Sequence, residues 1–183
     1  VWLRDTQPLK GKVGSEPQST PEHLLVAVTH LKAGGQPFQP LRLRQMRELL
    51  AQVQHAVDSM QPTTPGIVLC GDWNDLPDGP VEELARGLGL RSAYAEPFSL
   101  PRFTAQELSA TWCEREIEGV PRGGFMGSLD YLYHSPRLCA QAVLQEPAFE
   151  ATVQEGPRTG IPNKEYPSDH VALAATLCWL GPR

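Results

Sequence analysis

Apolar and polar positions recur along the chain with two different periods. Residues 24–29 are a short apolar and β-branched run after a polar stretch rich in Gly, Ser and Pro, so they predict a buried strand that follows a loop. Between residues 40 and 60 the apolar positions are three or four apart, which predicts an amphipathic helix. Its charged residues fall mostly on the opposite side, among them Arg42, Arg44, Arg47 and Glu48. We interpret the apolar stripe as the face that covers a sheet.

The rest of the chain is richer in predicted strands than in helices. Residues 67–70 predict a continuous apolar strand that runs into the sequence GDWN at 71–74, and residues 80–86 predict a short helix with Gly87 at its end. Residues 128–134, 139–145 and 171–179 predict three further strands. An order of βαβα followed mostly by β favours the α/β (α+β) class, with a sandwich of sheets flanked by helices.

Composition narrows the class of protein without naming one. The 183 residues contain 40% hydrophobic residues, which fits one domain or part of one. With 16 basic and 21 acidic side chains the net charge is −5, and this argues against a protein that holds long nucleic acid by charge alone, although a local basic groove stays open. No apolar stretch is long enough to span a membrane, so we expect a soluble, intracellular protein of unassigned compartment.

The cysteines give no sign of a zinc site or of a disulfide framework. They are scattered without a CxxC pair, and we interpret them as core or incidental thiols: Cys70, Cys113, Cys139 and Cys178.

Several predicted strands end in side chains suited to one kind of chemistry. Hydrolysis of a phosphoester needs a cation on the phosphate oxygens, a group that orients or deprotonates water, and a donor to the developing negative charge. Carboxylates, an amide and imidazoles can supply these roles, and strand ends can meet at one rim of a sheet. The candidates are His30, Asp72, Asn74, Asp130, Asp169 and His170.

A magnesium site needs few of these residues, because Mg²⁺ prefers oxygen ligands, keeps several waters and takes one or two carboxylates. Asp72 and Asn74 would lie on the same side of an extended chain. Asp169 and His170 would diverge unless their loop turns. Each residue has an ordinary alternative: His30 alone would be a surface or structural histidine, and GDWN alone an ordinary strand exit.

Four motifs occur in the order found in one superfamily: THLKA (29–33), GDWN (71–74), SLDY (128–131) and SDH (168–170). The chain therefore resembles the endonuclease/exonuclease/phosphatase superfamily from about residue 24 to residue 179. The THLKA form, the Thr111-Trp112 pair and YPSDH (166–170) resemble the nocturnin, angel and carbon catabolite repressor deadenylase branch. This implies a DNase I-like two-sheet sandwich, of which residues 1–183 would form a single partial domain with a core at 24–179.

The resemblance also implies roles for residues. His170 would contact the scissile phosphate, and Asp130 would orient that imidazole. Asp72 would activate or position the attacking water, with Asn74 holding the water or a phosphate oxygen. The metal ligand from this half would be Asp169.

The remaining implied contacts concern the substrate. His30 would bind or stabilise the phosphate, and Lys32 and Arg115 are candidate phosphate binders. Trp112 is a candidate substrate contact, and Trp73 is a second aromatic residue that could stack on a base. Nocturnin-like enzymes have Thr-Trp-Lys-x-Arg where this chain has TWCER (111–115), so one cation is replaced and an acid is added. This weakens an NADP(H) 2′-phosphatase prediction and leaves RNA 3′-end or 2′-phosphoester hydrolysis open.

One family feature has no counterpart in the sequence. Members carry an asparagine and a magnesium-binding glutamate before the THLKA strand, whereas this chain starts at Val1 with neither in a comparable context. We therefore expect the second half of a Mg²⁺-dependent (alternatively Mn²⁺-dependent) phosphoester hydrolase that acts on a nucleotide or RNA, with weak metal binding unless a missing N-terminal half is supplied. The alternative is a non-catalytic RNA- or protein-binding module of the same fold.

Overall fold

The computed structural model describes residues 2–4, 23–60, 64–107, 125–147, 161–164 and 166–180. Its elements in chain order are β1 (Trp2–Arg4), β2 (His23–Val28), a 3-10 turn (Gln36–Phe38), α1 (Gln39–Asp58), β3 (Gly66–Asp72), α2 (Pro80–Gly87), β4 (Arg91–Ser92), β5 (Ala105–Glu107), β6 (Phe125–Gly127), β7 (Asp130–His134), β8 (Leu138–Val143) and β9 (Ala175–Trp179). Within these ranges neither α-helix combines the length and the apolar character that a membrane span requires.

The main sheet has the strand order β1-β2-β3-β7-β4. Strands β2 and β3 are parallel and are connected through α1, as a parallel pair requires a crossover. Strand β7 pairs with β3 in the antiparallel direction. The carboxyl ends of β2 and β3 and the amino end of β7 therefore lie at one edge of the sheet, which is the rim where polar side chains were predicted.

The largest core cluster lies between the main sheet and the two helices. Met46 of α1, Val81 of α2 and Leu69 of β3 belong to this cluster, and all three side chains are buried. Trp73 is fully buried in the same cluster, with its ring 4.4 Å from that of Tyr131 in a stacked arrangement. The prediction that Trp73 could stack on a base is therefore wrong, because its ring is already part of the core.

Two further strand pairs, β5–β6 and β8–β9, complete the sheets in the described part of the chain. The β8–β9 pair packs through its Trp179 ring against the backbone of Gly66, where an added Cβ would come within 2.7 Å of the ring. At the other end of the pair the Tyr94 hydroxyl lies 3.0 Å from the Leu144 carbonyl oxygen and 3.1 Å from that of Ala174. The predicted class, α/β with sheets flanked by helices, is thus confirmed.

The predicted end strand is longer than the strand that forms. Residues 171–179 were predicted to be extended, but β9 begins only at Ala175. Before that point the backbone bonds to loops, since the Val171 amide donates to the Thr104 carbonyl and the Ala174 amide donates to the Tyr94 hydroxyl. An apolar run in the sequence does not show whether its backbone amides will bond to a neighbouring strand or to a loop.

Candidate active site

Hydrogen bonds continue the β2–β3 pairing past the end of β2. The Thr29 amide donates to the Cys70 carbonyl at 3.1 Å, and the Leu31 amide donates to the Asp72 carbonyl at 2.9 Å. His30 is consequently held beside the end of β3, with Nε2 3.3 Å from Oδ2 of Asp72.

Gly71 allows the two strands to approach at this point. Its φ of +127° lies outside the range that L side chains adopt readily, and a Cβ there would overlap the Thr29 carbonyl oxygen. The glycine of GDWN is therefore required by the geometry that brings His30 next to Asp72.

The register of β3 and β7 places two aspartates opposite each other. Asp72, the last residue of β3, pairs with Asp130, the first residue of β7. Burial raises the pKa of Asp72, and the nearby charge of Asp130 raises it further, while the Asn74 amide and the two histidines favour the ionised form. Like charges opposite each other across strands are destabilising, so this arrangement is unusual for a purely structural edge.

His170 joins this pair from a loop distant in sequence. Its Nδ1 lies 2.8 Å from Oδ2 of Asp130, and its Nε2 lies 4.0 Å from Oδ2 of Asp72. The hydrogen bond to Asp130 raises the pKa of His170, and this effect exceeds the opposing effect of burial. The imidazole is therefore fixed in orientation and biased towards its protonated form.

Backbone bonds on both sides of His170 hold its loop against β5. The Gln106 amide donates to the Asp169 carbonyl at 2.9 Å, and the Val171 amide donates to the Thr104 carbonyl at 2.8 Å. A hydrogen bond from the His170 amide to Oγ of Ser168, at 3.0 Å, closes the turn before it. The loop does turn, and both Asp169 and His170 reach the same cavity.

Thr104 is a positioning residue that sequence reasoning missed. Its side chain is fully buried, and Oγ1 accepts the amides of Leu129 at 2.8 Å and of Asp130 at 2.9 Å. The hydroxyl thus fixes the start of β7, where Asp130 stands. No local pattern could have revealed it, because the two amides lie 25 and 26 residues further along the chain.

Asn74 reaches the site by a different geometry from the predicted one. Its φ of +51° places it in a left-handed turn, so the prediction of an extended chain that presents Asp72 and Asn74 on one side is wrong. The turn is closed by the Asn74 amide, which donates to Oδ1 of Asp72 at 2.8 Å, and the side-chain Nδ2 donates to the Leu31 carbonyl at 3.1 Å. Both residues nevertheless line the same cavity.

The cavity has a volume of about 410 Å³, within the range of ligand-binding pockets. Five of the predicted residues line it, and Phe125 and Leu129 add apolar wall: the five are His30, Asp72, Asn74, Asp169 and His170. Asp130 stands behind His170. The polar groups therefore converge on a space large enough for a phosphate and part of the group attached to it.

The predicted substrate contacts are less well supported by position. Lys32 is not among the residues that line the cavity, and its Nζ lies 4.7 Å from the centre of the Phe38 ring. Trp112 and Arg115 fall outside the described residues.

Arg42 stabilises the loop that carries Ala33 and Gly34 into the cavity wall. Its guanidinium is buried, and Nη1 donates to the carbonyls of Gly34 at 2.7 Å and Lys32 at 3.2 Å. The prediction that Arg42 lies on the solvent-facing side of the helix is wrong, because this loop folds over α1 at that point. Burial lowers its pKa, and the charge of Asp75 opposes the shift.

The donor groups of the site fit a divalent cation. Asp72, Asp130 and His170 each offer a ligand atom, and these atoms lie within 4.8 Å of one another. The two carboxylates repel each other, and a bound cation would neutralise their negative charge. Asp169, the predicted metal ligand, lines the same cavity and is exposed to solvent, but it is not one of these three.

Comparison with known proteins identifies the family. Residues 4–170 match the model of the Endonuclease/Exonuclease/phosphatase family, and the chain belongs to that family. Among curated proteins, it is 26% identical over 188 residues to 2',5'-phosphodiesterase 12 of Homo sapiens, a match that covers 97% of this chain and 30% of that protein. It is also 28% identical over 166 residues to Carbon catabolite repressor protein 4 homolog 4 of Arabidopsis thaliana, which covers 83% of this chain and 37% of that protein.

Solved structures agree on the fold. The human Nocturnin catalytic domain superposes with a TM-score of 0.61 at 24% identity, covering 90% of this chain and 50% of that one. ANGEL2, a 2',3'-cyclic phosphatase, gives a TM-score of 0.60 at 19% identity and covers 85% and 57%. The resemblance to the nocturnin, angel and carbon catabolite repressor branch is confirmed, and the chain spans roughly a third of the curated relatives compared above.

Proposed function

We propose that this chain forms part of a divalent-metal-dependent hydrolase that cleaves a phosphoester in a nucleotide or RNA substrate. The observation that carries the proposal is that three side chains from separate segments come within 4.8 Å of one another: Asp72 from β3 and His170 from the 166–174 loop line the cavity, and Asp130 from β7 lies behind His170. The family is named for endonuclease, exonuclease and phosphatase activities, all of which break phosphoester bonds.

His170 and Asp130 would act together on the phosphate. Because Nδ1 of His170 is engaged by Asp130, Nε2 is the nitrogen left to face the substrate. The raised pKa favours the protonated imidazole, in which Nε2–H would donate to a phosphate oxygen and stabilise the charge that develops on it. His30, on the other side of Asp72, would make a second contact to the phosphate.

Asp72 would position the attacking water or accept its proton. Its raised pKa makes the carboxylate a better proton acceptor than an exposed aspartate. Asn74 uses one amide hydrogen on the Leu31 carbonyl, and no bond within the described ranges uses its second hydrogen or its oxygen, so these would be available to the water or to a phosphate oxygen.

The proposed ion is Mg²⁺, with Mn²⁺ as the alternative. Asp169 and Asp72, which line the same cavity, would hold it from this part of the chain, while His170 and its partner Asp130 would act on the phosphate instead of the ion. Two carboxylates agree with the small number of protein ligands that Mg²⁺ requires. When bound, the ion would neutralise phosphate oxygens and make a coordinated water more acidic.

A ribose 2′-phosphoester is the first substrate to test. One relative is named a 2',5'-phosphodiesterase and one structural neighbour a 2',3'-cyclic phosphatase, and both names point to the 2′ oxygen. RNA 3′-end hydrolysis and NADP(H) 2′-phosphatase activity are the competing activities, and a non-catalytic RNA- or protein-binding module is the competing class. The chain covers half of the Nocturnin domain, which supports the further proposal that an N-terminal half completes the site.

The proposal would be tested on the protein that includes the proposed N-terminal half, by product release from 2′,5′-linked oligoadenylate, 3′,5′-linked oligo(A) and NADP⁺, with Mg²⁺, with Mn²⁺ and with a chelator. His170→Ala is expected to abolish release, and His55→Gln is the matched control because His55 is exposed on α1, away from the cavity. Hydrolysis that survives His170→Ala would contradict the assignment. RNA binding without hydrolysis, unchanged by chelator, would favour the non-catalytic module.

A further inference from the structure

The β8–β9 pair carries two cysteines that face each other. The register pairs Cys139 of β8 with Cys178 of β9, and their Sγ atoms are 2.8 Å apart. The two residues are 39 positions apart in sequence, so the spacing of the cysteines gave no hint of this contact. We interpreted them as core or incidental thiols, and in the structure both are free cysteines that lie in direct contact.

The backbone at this position suits a disulfide. The Leu180 amide donates to the Arg137 carbonyl at 2.8 Å, two residues from each cysteine. Because hydrogen-bonded pairs alternate along an antiparallel ladder, Cys139 and Cys178 occupy a hydrogen-bonded pair, in which Cα atoms are about 5.5 Å apart. Disulfides span Cα separations of roughly 4.4–6.8 Å, a range that includes the separation typical of such a pair.

Contacts at both ends keep the two strands in this register. Near the cysteines, the Arg137 guanidinium lies 5.8 Å from the centre of the Trp179 ring, which itself packs on Gly66. At the far end, the Tyr94 hydroxyl contacts the carbonyl of Leu144, which follows β8, and the carbonyl of Ala174, which precedes β9. Both thiols are also half-exposed, so a dissolved oxidant can reach them.

We infer that Cys139 and Cys178 form a modification site, at which a low-molecular-weight or protein disulfide oxidises the two thiols to an intramolecular disulfide. One cysteine thiolate attacks a sulfur of the oxidant, which gives a mixed disulfide and releases one thiol. The second cysteine then attacks the protein sulfur and releases the other thiol. The protein loses two protons and two electrons, and the oxidant's disulfide becomes two thiols.

The bond would close a loop that includes the His170 segment. That loop runs through residues 139–178 and contains Asp169 and His170, whereas Asp130 lies outside it. A closed loop of this length restricts the unfolded chain, so the oxidised protein should melt at a temperature about 5–15 °C higher than the reduced protein. This effect does not depend on catalysis, so the inference stands apart from the proposed function.

The test uses the full chain, reduced, freed of reductant and equilibrated in glutathione buffers of increasing oxidised fraction. Remaining thiols are blocked, and the protein is analysed by mass spectrometry and peptide mapping. We expect a monomer that carries two blocking groups fewer than the fully reduced protein, a crosslinked peptide that joins Cys139 to Cys178, and the higher melting temperature. A Cys178→Ser variant should instead retain a glutathione adduct on Cys139, because the resolving thiol is gone.

Two further cysteines serve as controls. Cys70 lies in β3 opposite Val28 and Leu132, so it has no thiol across the strands and should not form an intramolecular disulfide. A Cys113→Ser background removes the one cysteine outside the described residues. Thiols that stay reduced at every glutathione ratio would overturn the inference, as would a crosslink to Cys70 or a disulfide formed only between two molecules.

Discussion

Replacing Thr104 with valine removes one hydroxyl from the site's support while nearly preserving the shape of the side chain. The hydroxyl accepts two amides, those of Leu129 and Asp130, and the threonine is fully buried. A buried amide without an acceptor costs about 1–3 kcal/mol, and the partly exposed Asp130 amide can recover some of this from water. We therefore expect Thr104→Val to lower the free energy of unfolding by about 2–4 kcal/mol.

Thr104→Ser is the matched control, because it keeps the acceptor and removes only one methyl group. A buried methyl group contributes about 1 kcal/mol, so the serine variant should lie clearly between wild type and the valine variant. Urea denaturation measures this difference, with an unchanged slope against urea as the sign that both variants retain the native compactness.

A second readout separates a positioning role from a purely structural one. Since Thr104 fixes the backbone at Asp130, the valine variant should weaken the Asp130–His170 contact and lower the pKa of His170 in the metal-free protein. The serine variant should leave that pKa unchanged. Equal stability of the two variants, or an unmoved His170 pKa in the valine variant, would refute the reasoning.

Two further predictions concern the rim itself. In metal-free protein, Asp130→Asn should return the pKa of His170 towards its ordinary value of 6.5, as followed by NMR titration of the imidazole. An unchanged His170 titration in the variant would contradict this expectation. Because the folded-state pKa of His170 is raised, its contact with Asp130 stabilises the folded protein fully below pH 6.5, and the stabilisation is lost as the pH rises through the raised pKa. Gly71→Ala should destabilise the fold by more than about 2 kcal/mol, since the left-handed backbone disfavours a side chain and the added Cβ would overlap the Thr29 carbonyl. Thermal melts of both variants measure this, with Gly87→Ala as the control, because an added Cβ at Gly87 meets no atom within 4 Å and should be near neutral. Equal losses of stability in the two variants would contradict the argument that a close contact with Thr29 requires glycine at position 71.

Two polar residues of the rim, His30 and Asp72, could be predicted because each one lies at the end of an apolar strand in the sequence. An apolar run such as 67–70 marks a strand, and a polar residue directly after it, such as Asp72, must lie at that strand's end. Placing His30 and Asp72 at strand ends required no knowledge of the partners. The closeness of Asp130 and His170, by contrast, joins residues 40 positions apart, and only their resemblance to known motifs suggested it.

Features that depend on distant partners were missed or predicted wrongly. Helical periodicity placed Arg42 on the polar side because periodicity assumes that only one face of the helix is packed, here against the sheet. It cannot show that a loop also packs on another face of α1, as the loop at Gly34 does. Trp73 looked available because aromatic residues in a polar motif are often exposed, but the turn after β3 directs it into the core beside Tyr131. Cys139 and Cys178 became neighbours only through the β8–β9 register.

The register that pairs Asp72 with Asp130 gives the strongest physical reason to regard the rim as a functional site. Two carboxylates opposite each other across antiparallel strands oppose folding, and a neutral side chain at either position would relieve the repulsion. The chain instead surrounds the pair with histidines, one 2.8 Å from Asp130 and one 3.3 Å from Asp72. Residues that reduce the stability of a sheet are found most often at functional sites, where the function requires them. A cavity beside this concentrated charge is where a cation and a phosphate would be bound together, and this supports the proposed hydrolase over a module that only binds.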